Sequence, residues 1–267
     1  MRRLIVSLCF LAVSLWAEPL AIRAAVIGGV DMSGLWEALV ESFEKESSLK
    51  VDTVISAPKH NIEAYCRKES CDFITMHASD SIANLAFEGY LESLTPWLRN
   101  EQLLLSHADN VAHIDQNDTL QQALAKIVAS EAPFVIHGSG GTFEVYGNLR
   151  DRYGFHPKNI HYIDSKQELF KSCAALRGYT LFGVIPYLMN KRFEASKMKA
   201  FIYETQALRR PYLAGVAPAR RIGSVRHENA QKLLRFLQSP SARKIIMQWR
   251  LENHETQPVF YTQGDLQ

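Results

Sequence analysis

The chain has 267 residues, of which 47% are hydrophobic and 22% charged. This ordinary globular composition excludes a disordered chain, a collagen-like repeat and a small disulfide-dense scaffold. The formal charge is +2, but Arg2 and Arg3 supply both units, and without them 28 basic residues balance 28 acidic ones. We therefore expect no broad field that would attract nucleic acid or an anionic membrane, so any charged ligand must be held by local groups.

Residues 1–17 have the tripartite pattern of a secretory signal peptide. Arg2 and Arg3 form a short positive region, an apolar run follows over 4–13, and Ala17 offers a small residue at the cleavage point. The alternative is a membrane anchor, but the run is shorter than the ~20 residues that a spanning helix needs. The sequence therefore predicts export across the membrane.

Three cysteines follow the predicted signal peptide. In an oxidising compartment Cys66 and Cys71 could close a small loop, which would leave Cys173 free or buried. Three reduced, buried thiols are the alternative. Two cysteines five positions apart, without a partnering Cys or His pair, make a poor zinc site, so we predict no metal.

Predicted strands and helices alternate along the rest of the chain. In the first part, strands are predicted over 20–27, 50–56 and 72–76, with helices from 35, over 62–67 and over 79–88. After a short apolar run over 101–106, strands are predicted over 134–136, 160–163, 179–185, 201–204 and 212–217, and helices over 119–129, 143–153, 166–175, 228–237 and 241–249. This alternation predicts parallel βαβ units arranged in two α/β lobes.

The sharpest local feature is the segment 137–142, His-Gly-Ser-Gly-Gly-Thr, between a predicted strand and a predicted helix. Glycines let backbone N–H groups approach a ligand, and the start of a helix carries a partial positive charge. The hydroxyls of Ser139 and Thr142 add donors, so the segment is a candidate anion site. The alternative is a plain strand-to-helix turn in which Thr142 is the N-cap.

Two further turns give weaker signals. Gly28 and Gly29 follow the first strand, and Ser56 lies at the end of the second. Gly28-Gly29 lacks the third glycine of a dinucleotide fingerprint, and the chain has no phosphate-loop motif. Gly138-Ser139-Gly140 matches only part of a nucleophile elbow, and no acid can be assigned to orient a histidine, so we expect no enzyme.

Several short segments occur in an order that resembles a known family. They are VIGGVDMSGL at 26–35, FEKE at 43–46, DFITMHA at 72–78, FEGY at 87–90, APFVIHGSGGT at 132–142, GYTL at 178–181, RPY at 210–212 and FLQSP at 236–240. Together they resemble the periplasmic solute-binding proteins of ABC importers. The most similar branch is the tungstate- and molybdate-binding one, within the wider phosphate-binding-like superfamily.

The resemblance implies a type II Venus-flytrap fold of two lobes, each a mixed sheet flanked by helices, with the ligand in the cleft. It implies a first lobe of residues 18–100 and 211–267, a second of 106–206, and crossovers near 101–105 and 207–210. By position, the ligand-binding residues would be Gly28, Gly29 and Val30 in the first turn, Ser56 in the second, Ser139, Gly140, Gly141 and Thr142 in the other lobe, and Tyr179 and Thr180 at a strand end facing the cleft.

Two positions depart from the tungstate-binding pattern. The turn at 28–30 is Gly-Gly-Val where that branch is rich in threonine and serine, and position 137 is histidine where arginine is common. Arginine is always positively charged and can donate two parallel hydrogen bonds to an oxyanion, whereas histidine is neutral for much of the time near pH 7. We predict that His137 contacts the ligand and that its charge in this contact can be tuned.

These observations predict a periplasmic, monomeric protein without a cofactor that captures a small oxyanion and presents it to an ABC permease. A periplasmic sensory or accessory module of the same fold is the first alternative. An extracytoplasmic hydrolase that uses Ser139 is the second.

Overall fold

The computed structural model describes residues 20–138, 140–189, 198–203, 205–251 and 258–262. The predicted signal peptide over 1–17 and the candidate ligand residue Ser139 therefore lie outside the described residues. The described chain folds into two lobes, each a mixed sheet with helices packed on it.

The first lobe is built on a sheet in which parallel strands from the beginning of the chain meet antiparallel strands from further along it. Its strands are β1 (Ile22–Ile27), β2 (Val51–Ala57), β3 (Phe73–His77), the first half of β4 (Glu92–His107), β9 (Arg209–Val216) and β10 (Phe260–Tyr261). The sheet order is β2-β1-β3-β9-β4, with β10 also paired to β4. Its helices are α1 (Gly28–Met32), α2 (Leu35–Ser47), α3 (Lys59–Lys68), α4 (Asp80–Phe87), α9 (Ala219–Ile222), α10 (Ser224–Leu237) and α11 (Pro240–Gln248).

The second lobe continues from the same long strand. The second half of β4 pairs with β7 (Tyr179–Gly183) and with β8 (Met198–Phe201), and β7 leads on to β5 (Phe134–His137) and β6 (Ile160–Ile163). Its helices are α5 (Leu120–Ala129), α6 (Gly141–Tyr153), α7 (Lys166–Ala175) and α8 (Val184–Met189), with a short 3-10 helix over Gln206–Leu208.

Strand β4 joins the two sheets. Its residues up to Glu101 pair with β9, and from Gln102 onward it pairs with β7. Because side chains alternate across a strand, Leu103 and Leu105 pack in the core of the first lobe and Leu104 packs in that of the second. The crossing point is therefore part of both hydrophobic cores.

A buried ion pair holds the same crossing point. Arg209, the first residue of β9, donates from Nε to Glu101 Oε1 at 2.7 Å, and both side chains are less than 10% exposed. The guanidinium carbon of Arg209 also lies 3.9 Å from the centre of the Tyr261 ring, in cation–π geometry. These contacts fix β9 against β4 where the chain passes between the lobes.

The sequence-based elements differ from the structure mainly where strands end. The run over 101–106 is only the second half of the 16-residue strand β4, whose pairing with β9 is irregular around Pro96. The strand predicted over 179–185 stops at Gly183, because α8 begins at Val184. The strand expected over 201–204 lies earlier, at Met198–Phe201.

Candidate anion-binding cleft

One edge of the first lobe collects the predicted ligand residues of the first two turns. Strands β1, β2 and β3 are parallel, so their carboxyl ends lie side by side, which is where ligands bind in open α/β sheets. Gly28 and Gly29 follow β1, and the exposed Ser56 stands one residue before the end of β2. Gly28 to Val30 form the start of α1 rather than an open turn, and the Val30 side chain is fully buried, so only its backbone is available there.

The matching edge of the second lobe lies at the start of α6. Gly140 is the N-cap of this helix and has a φ angle of +78°, which favours glycine. Because glycine has no side chain, it cannot cap the first N–H groups of the helix. Thr142 lies in the first turn and is not the N-cap. His137 ends β5, with its Nε2 3.0 Å from the backbone carbonyl of Asp164.

Strand β9 places an arginine between the two edges. Arg210 is 8% exposed. A Cβ atom added to Gly141 would overlap its guanidinium, so this glycine is what lets the cation lie against the start of α6. Arg210 was not predicted as a ligand contact from the sequence. Its guanidinium is a permanently charged group that can donate two parallel hydrogen bonds, which the His137 side chain cannot do.

Tyr212 lies two residues further along β9, on the same face as Arg210. It is fully buried, and its ring packs against that of His77 in a tilted arrangement with the centroids 4.0 Å apart. Its hydroxyl has no hydrogen-bond partner among the described residues and lies 4.0 Å from where a Cβ on Gly29 would stand. Burial raises the pKa of Tyr212, although the charge of Arg210 opposes this, so the phenol remains a neutral donor at the first glycine turn.

An acid sits beside this arginine. Glu144, in the first turn of α6, accepts from Arg210 Nη2 through Oε2 and from Lys59 Nζ through Oε1, each at 2.6 Å. Lys59 begins α3, just beyond Ser56 in the first lobe. Burial opposes the ionisation of Glu144, but the hydrogen bond from Lys59 and the charge of Arg210 outweigh it and lower the pKa of the carboxyl below its ordinary value.

The structure does not bring Tyr179 and Thr180 to the cleft, which corrects their placement at a strand end facing it. Both begin β7, and Tyr179 is level with Phe134 at the amino end of β5, opposite the edge that leads to α6. The Tyr179 hydroxyl donates to Asn110 Oδ1 and accepts from the amide of Ala112, both at 2.8 Å. The Thr180 side chain is fully buried. Neither residue belongs to the candidate site.

Five cleft residues were not predicted as ligand contacts. They are Lys59, His77, Glu144, Arg210 and Tyr212. The sequence carried one signal for two of them, because arginine and tyrosine two positions apart in a strand share a face. The other three depend on contacts between distant segments.

A separate cavity of about 390 Å³ lies at the opposite edge of the first lobe, beside the amino end of β3. Cys66 and Cys71 are joined by a disulfide in its wall, which decides the alternative that the sequence left open. The cavity also carries Arg67 and Arg221, but Arg67 is already paired with Glu63 and Glu88. This cavity is distant from the two glycine turns and takes no part in the cleft.

Comparisons with known proteins establish what this architecture is. No protein-family model and no curated protein matches the chain, but solved structures do. The tungstate-binding protein TupA of Desulfovibrio alaskensis G20 is 20% identical with a TM-score of 0.74, over 91% of this chain and 98% of its own. The chain has the two-lobed fold of the type II periplasmic binding proteins.

Two other structures of this fold bear on the same point. The tungstate ABC transporter protein of Geobacter sulfurreducens is 22% identical with a TM-score of 0.66, over 85% of this chain and 97% of its own. The substrate-binding domain of a putative molybdenum ABC transporter of Clostridium difficile is 16% identical with a TM-score of 0.56, over 86% and 96%. The TM-scores of these two structures indicate the same fold as that of this chain. Among the described residues, none of the helices is long and apolar enough to cross a bilayer.

Proposed function

We propose that this chain is an extracytoplasmic solute-binding protein that holds a small oxyanion between its two lobes and delivers it to an ABC permease. The observation that carries the proposal is the pair of buried donors on β9. Arg210 faces the glycine turn of one lobe and the unpaired Tyr212 hydroxyl faces that of the other. A buried hydroxyl without a partner is costly unless a ligand satisfies it. The guanidinium of Arg210 is paired with Glu144 through Nη2 and has further N–H groups that could donate to an oxyanion.

The proposed ligand set combines sequence-predicted and newly located groups. Backbone N–H groups come from the two glycine turns, hydroxyls from Ser56, Thr142 and Tyr212, and the guanidinium from Arg210. Ser139 stays in the set as a sequence-based expectation. Because these donors come from both lobes, a tetrahedral oxyanion held by them would bridge the lobes and favour closure about the crossovers near 101–105 and 207–210. Tungstate and molybdate are the first candidates, since two of the structures named above are described as tungstate-binding or tungstate-transporting and the third as part of a putative molybdenum transporter.

Isothermal titration calorimetry with tungstate, molybdate, sulfate and phosphate tests the proposal. We expect micromolar or tighter binding of at least one of them to the wild type. The Arg210→Ala variant should lose about tenfold to a hundredfold in affinity, the usual effect of removing a charged hydrogen bond. The control Arg235→Ala removes an exposed arginine of α10 and should bind like the wild type. Absence of binding by the folded wild type to all four anions would refute the proposal.

A further inference from the structure

The carboxylate of Glu144 connects three separate parts of the fold. Its two oxygens are held at 2.6 Å by Lys59 Nζ from the first lobe and by Arg210 Nη2 from the crossover strand β9, while Glu144 itself belongs to the second lobe. Lys59 and Glu144 are 85 residues apart in the chain. The ion pairs therefore cross the cleft at the place where the proposed ligand would bind.

Chemically, a glutamate carboxylate resembles the ligand of this cleft. It is an anion with two acceptor oxygens, and fork-like pairing with a guanidinium suits a carboxylate as well as it suits a phosphate-like oxyanion. Arg210 has little freedom to turn elsewhere, because it is 8% exposed and lies tight against Gly141. An incoming oxyanion must therefore share this guanidinium with Glu144 or replace Glu144 on it.

We propose that Glu144 is an internal competitor of the transported anion and sets the charge selectivity of the cleft. The inference rests on the proposed function, that the cleft binds an oxyanion. Lys59, Arg210 and Glu144 together carry a net charge of +1, which suits a monoanion better than a dianion. Glutamine at position 144 would raise that charge to +2, keep the side-chain shape and still accept one hydrogen bond.

The size of the effect follows from the repulsion between Glu144 and the bound anion. Two like charges separated by a few ångströms at a partly buried site interact strongly enough for removal of one to improve affinity by about tenfold or more. Coulomb energy is proportional to the charge of the ligand, so the gain in log affinity for a dianion should be about twice the gain for a monoanion. This ratio separates a charge effect from a general change in the shape of the cleft.

The test is calorimetric titration of the full chain with sodium molybdate and, separately, sodium nitrate at pH 7.5. Glu144→Gln is compared with the wild type and with Glu168→Gln. Glu168 is a matched control, since it is an exposed acid in the first turn of another helix, α7, and its substitution changes the net charge equally. We expect about tenfold or tighter molybdate binding by Glu144→Gln, a smaller gain for nitrate, and no change in Glu168→Gln.

Each outcome decides something. Tighter molybdate binding by Glu144→Gln than by the wild type, with Glu168→Gln unchanged, would support the competitor role. Unchanged or weaker molybdate binding by Glu144→Gln would overturn that role while leaving the proposed function standing. Equal gains for molybdate and nitrate would also overturn it. If the folded wild type binds none of the anions, the proposed function fails and this inference with it. Should the glutamine variant not fold, as judged by its melting curve, Glu144→Ala gives the same comparison.

Discussion

The hydroxyl oxygen of Tyr212 lies 4.0 Å from the position that a Cβ atom on Gly29 would occupy. Tyr212 comes from the strand that enters the first lobe from the second, whereas Gly29 follows the first strand of the chain. A fully buried phenol at such a junction, with no partner among the described residues, keeps a hydrogen-bond donor available for a ligand.

Replacing Tyr212 by phenylalanine should separate binding from stability. The variant loses a donor to the ligand, so anion affinity should fall about fivefold to tenfold, as expected for one neutral hydrogen bond. The free energy of unfolding should stay the same or rise by up to about 1 kcal/mol, because an unsatisfied buried hydroxyl is removed. Calorimetric titration and urea denaturation measure the two quantities.

Tyr179→Phe is the matched control for that variant. The Tyr179 hydroxyl is satisfied by Asn110 and Ala112, so its loss leaves the Ala112 amide without its acceptor and should cost about 1–3 kcal/mol of stability. Its anion affinity should be unchanged, since Tyr179 begins β7 away from the cleft. The reverse pattern, with Tyr179→Phe weakening binding and Tyr212→Phe only destabilising, would contradict the location of the site.

Gly141→Ala tests whether Arg210 must lie where it does. The new methyl group would overlap the guanidinium and force it to move, so we expect affinity to fall about tenfold to a hundredfold through loss of the charged contact. Gly147, in the same helix, has open space around its Cβ position. Gly147→Ala should bind normally and gain up to about 1 kcal/mol of stability from its better helix propensity. Normal binding by Gly141→Ala would show that binding does not require Arg210 to lie in this position.

Much of the architecture could be predicted because the local spacing of apolar residues indicates where helices and strands lie. Helix α2 carries its apolar residues at helical spacing, and β3 is a short buried run, so both were located from the sequence. The full length of β4 could not be, because Pro96 and the irregular pairing around it interrupt the pattern of a strand. Its continuity depends on partner strands that are all more than seventy residues away in the chain.

Only the part of the candidate site that lies at the ends of strands could be predicted from the sequence. Glycines after β1 and before α6 are visible in the sequence, but the contact of Gly141 with Arg210 joins residues 69 positions apart and leaves no local trace. Tyr179 shows the opposite error. It follows Gly178 at the beginning of a strand, whereas ligands of parallel strands gather at their ends, so the direction of β7 argued against it.

The cysteines should respond to alkylation in a fixed order. Burial raises the pKa of the Cys173 thiol to about 12, so at pH 8 only about one molecule in ten thousand carries the reactive thiolate. Iodoacetamide followed by peptide mapping should leave Cys173 unlabelled in the folded protein and label it in urea. Cys66 and Cys71 should appear as one linked pair of peptides until a reductant is added. Labelling of either of them in native protein purified without reductant would contradict the disulfide.

The pH dependence of stability should contain a contribution from Glu144. Its pKa in the folded protein lies below the ordinary value of 4.5, so at acidic pH the unfolded chain binds the proton more readily. The stabilisation by Lys59 and Arg210 is therefore present in full above pH 4.5 and is lost as the pH falls through the lowered pKa. Because the Glu144 side chain is 41% exposed, we expect only about 0.2–1 kcal/mol.

Urea denaturation of the wild type and Glu144→Gln at pH 7 and pH 3 measures this contribution. The wild type should be the more stable protein at pH 7, and the difference between the two should shrink at pH 3. Other carboxyls with lowered pKa values, such as Glu63 and Asp118, are common to both proteins and cancel in the difference. A difference that is constant with pH would mean that the Glu144 ion pairs add nothing to stability. Combined with tighter molybdate binding by the same variant, the expected result would show that this carboxylate stabilises the fold while weakening the capture of dianions.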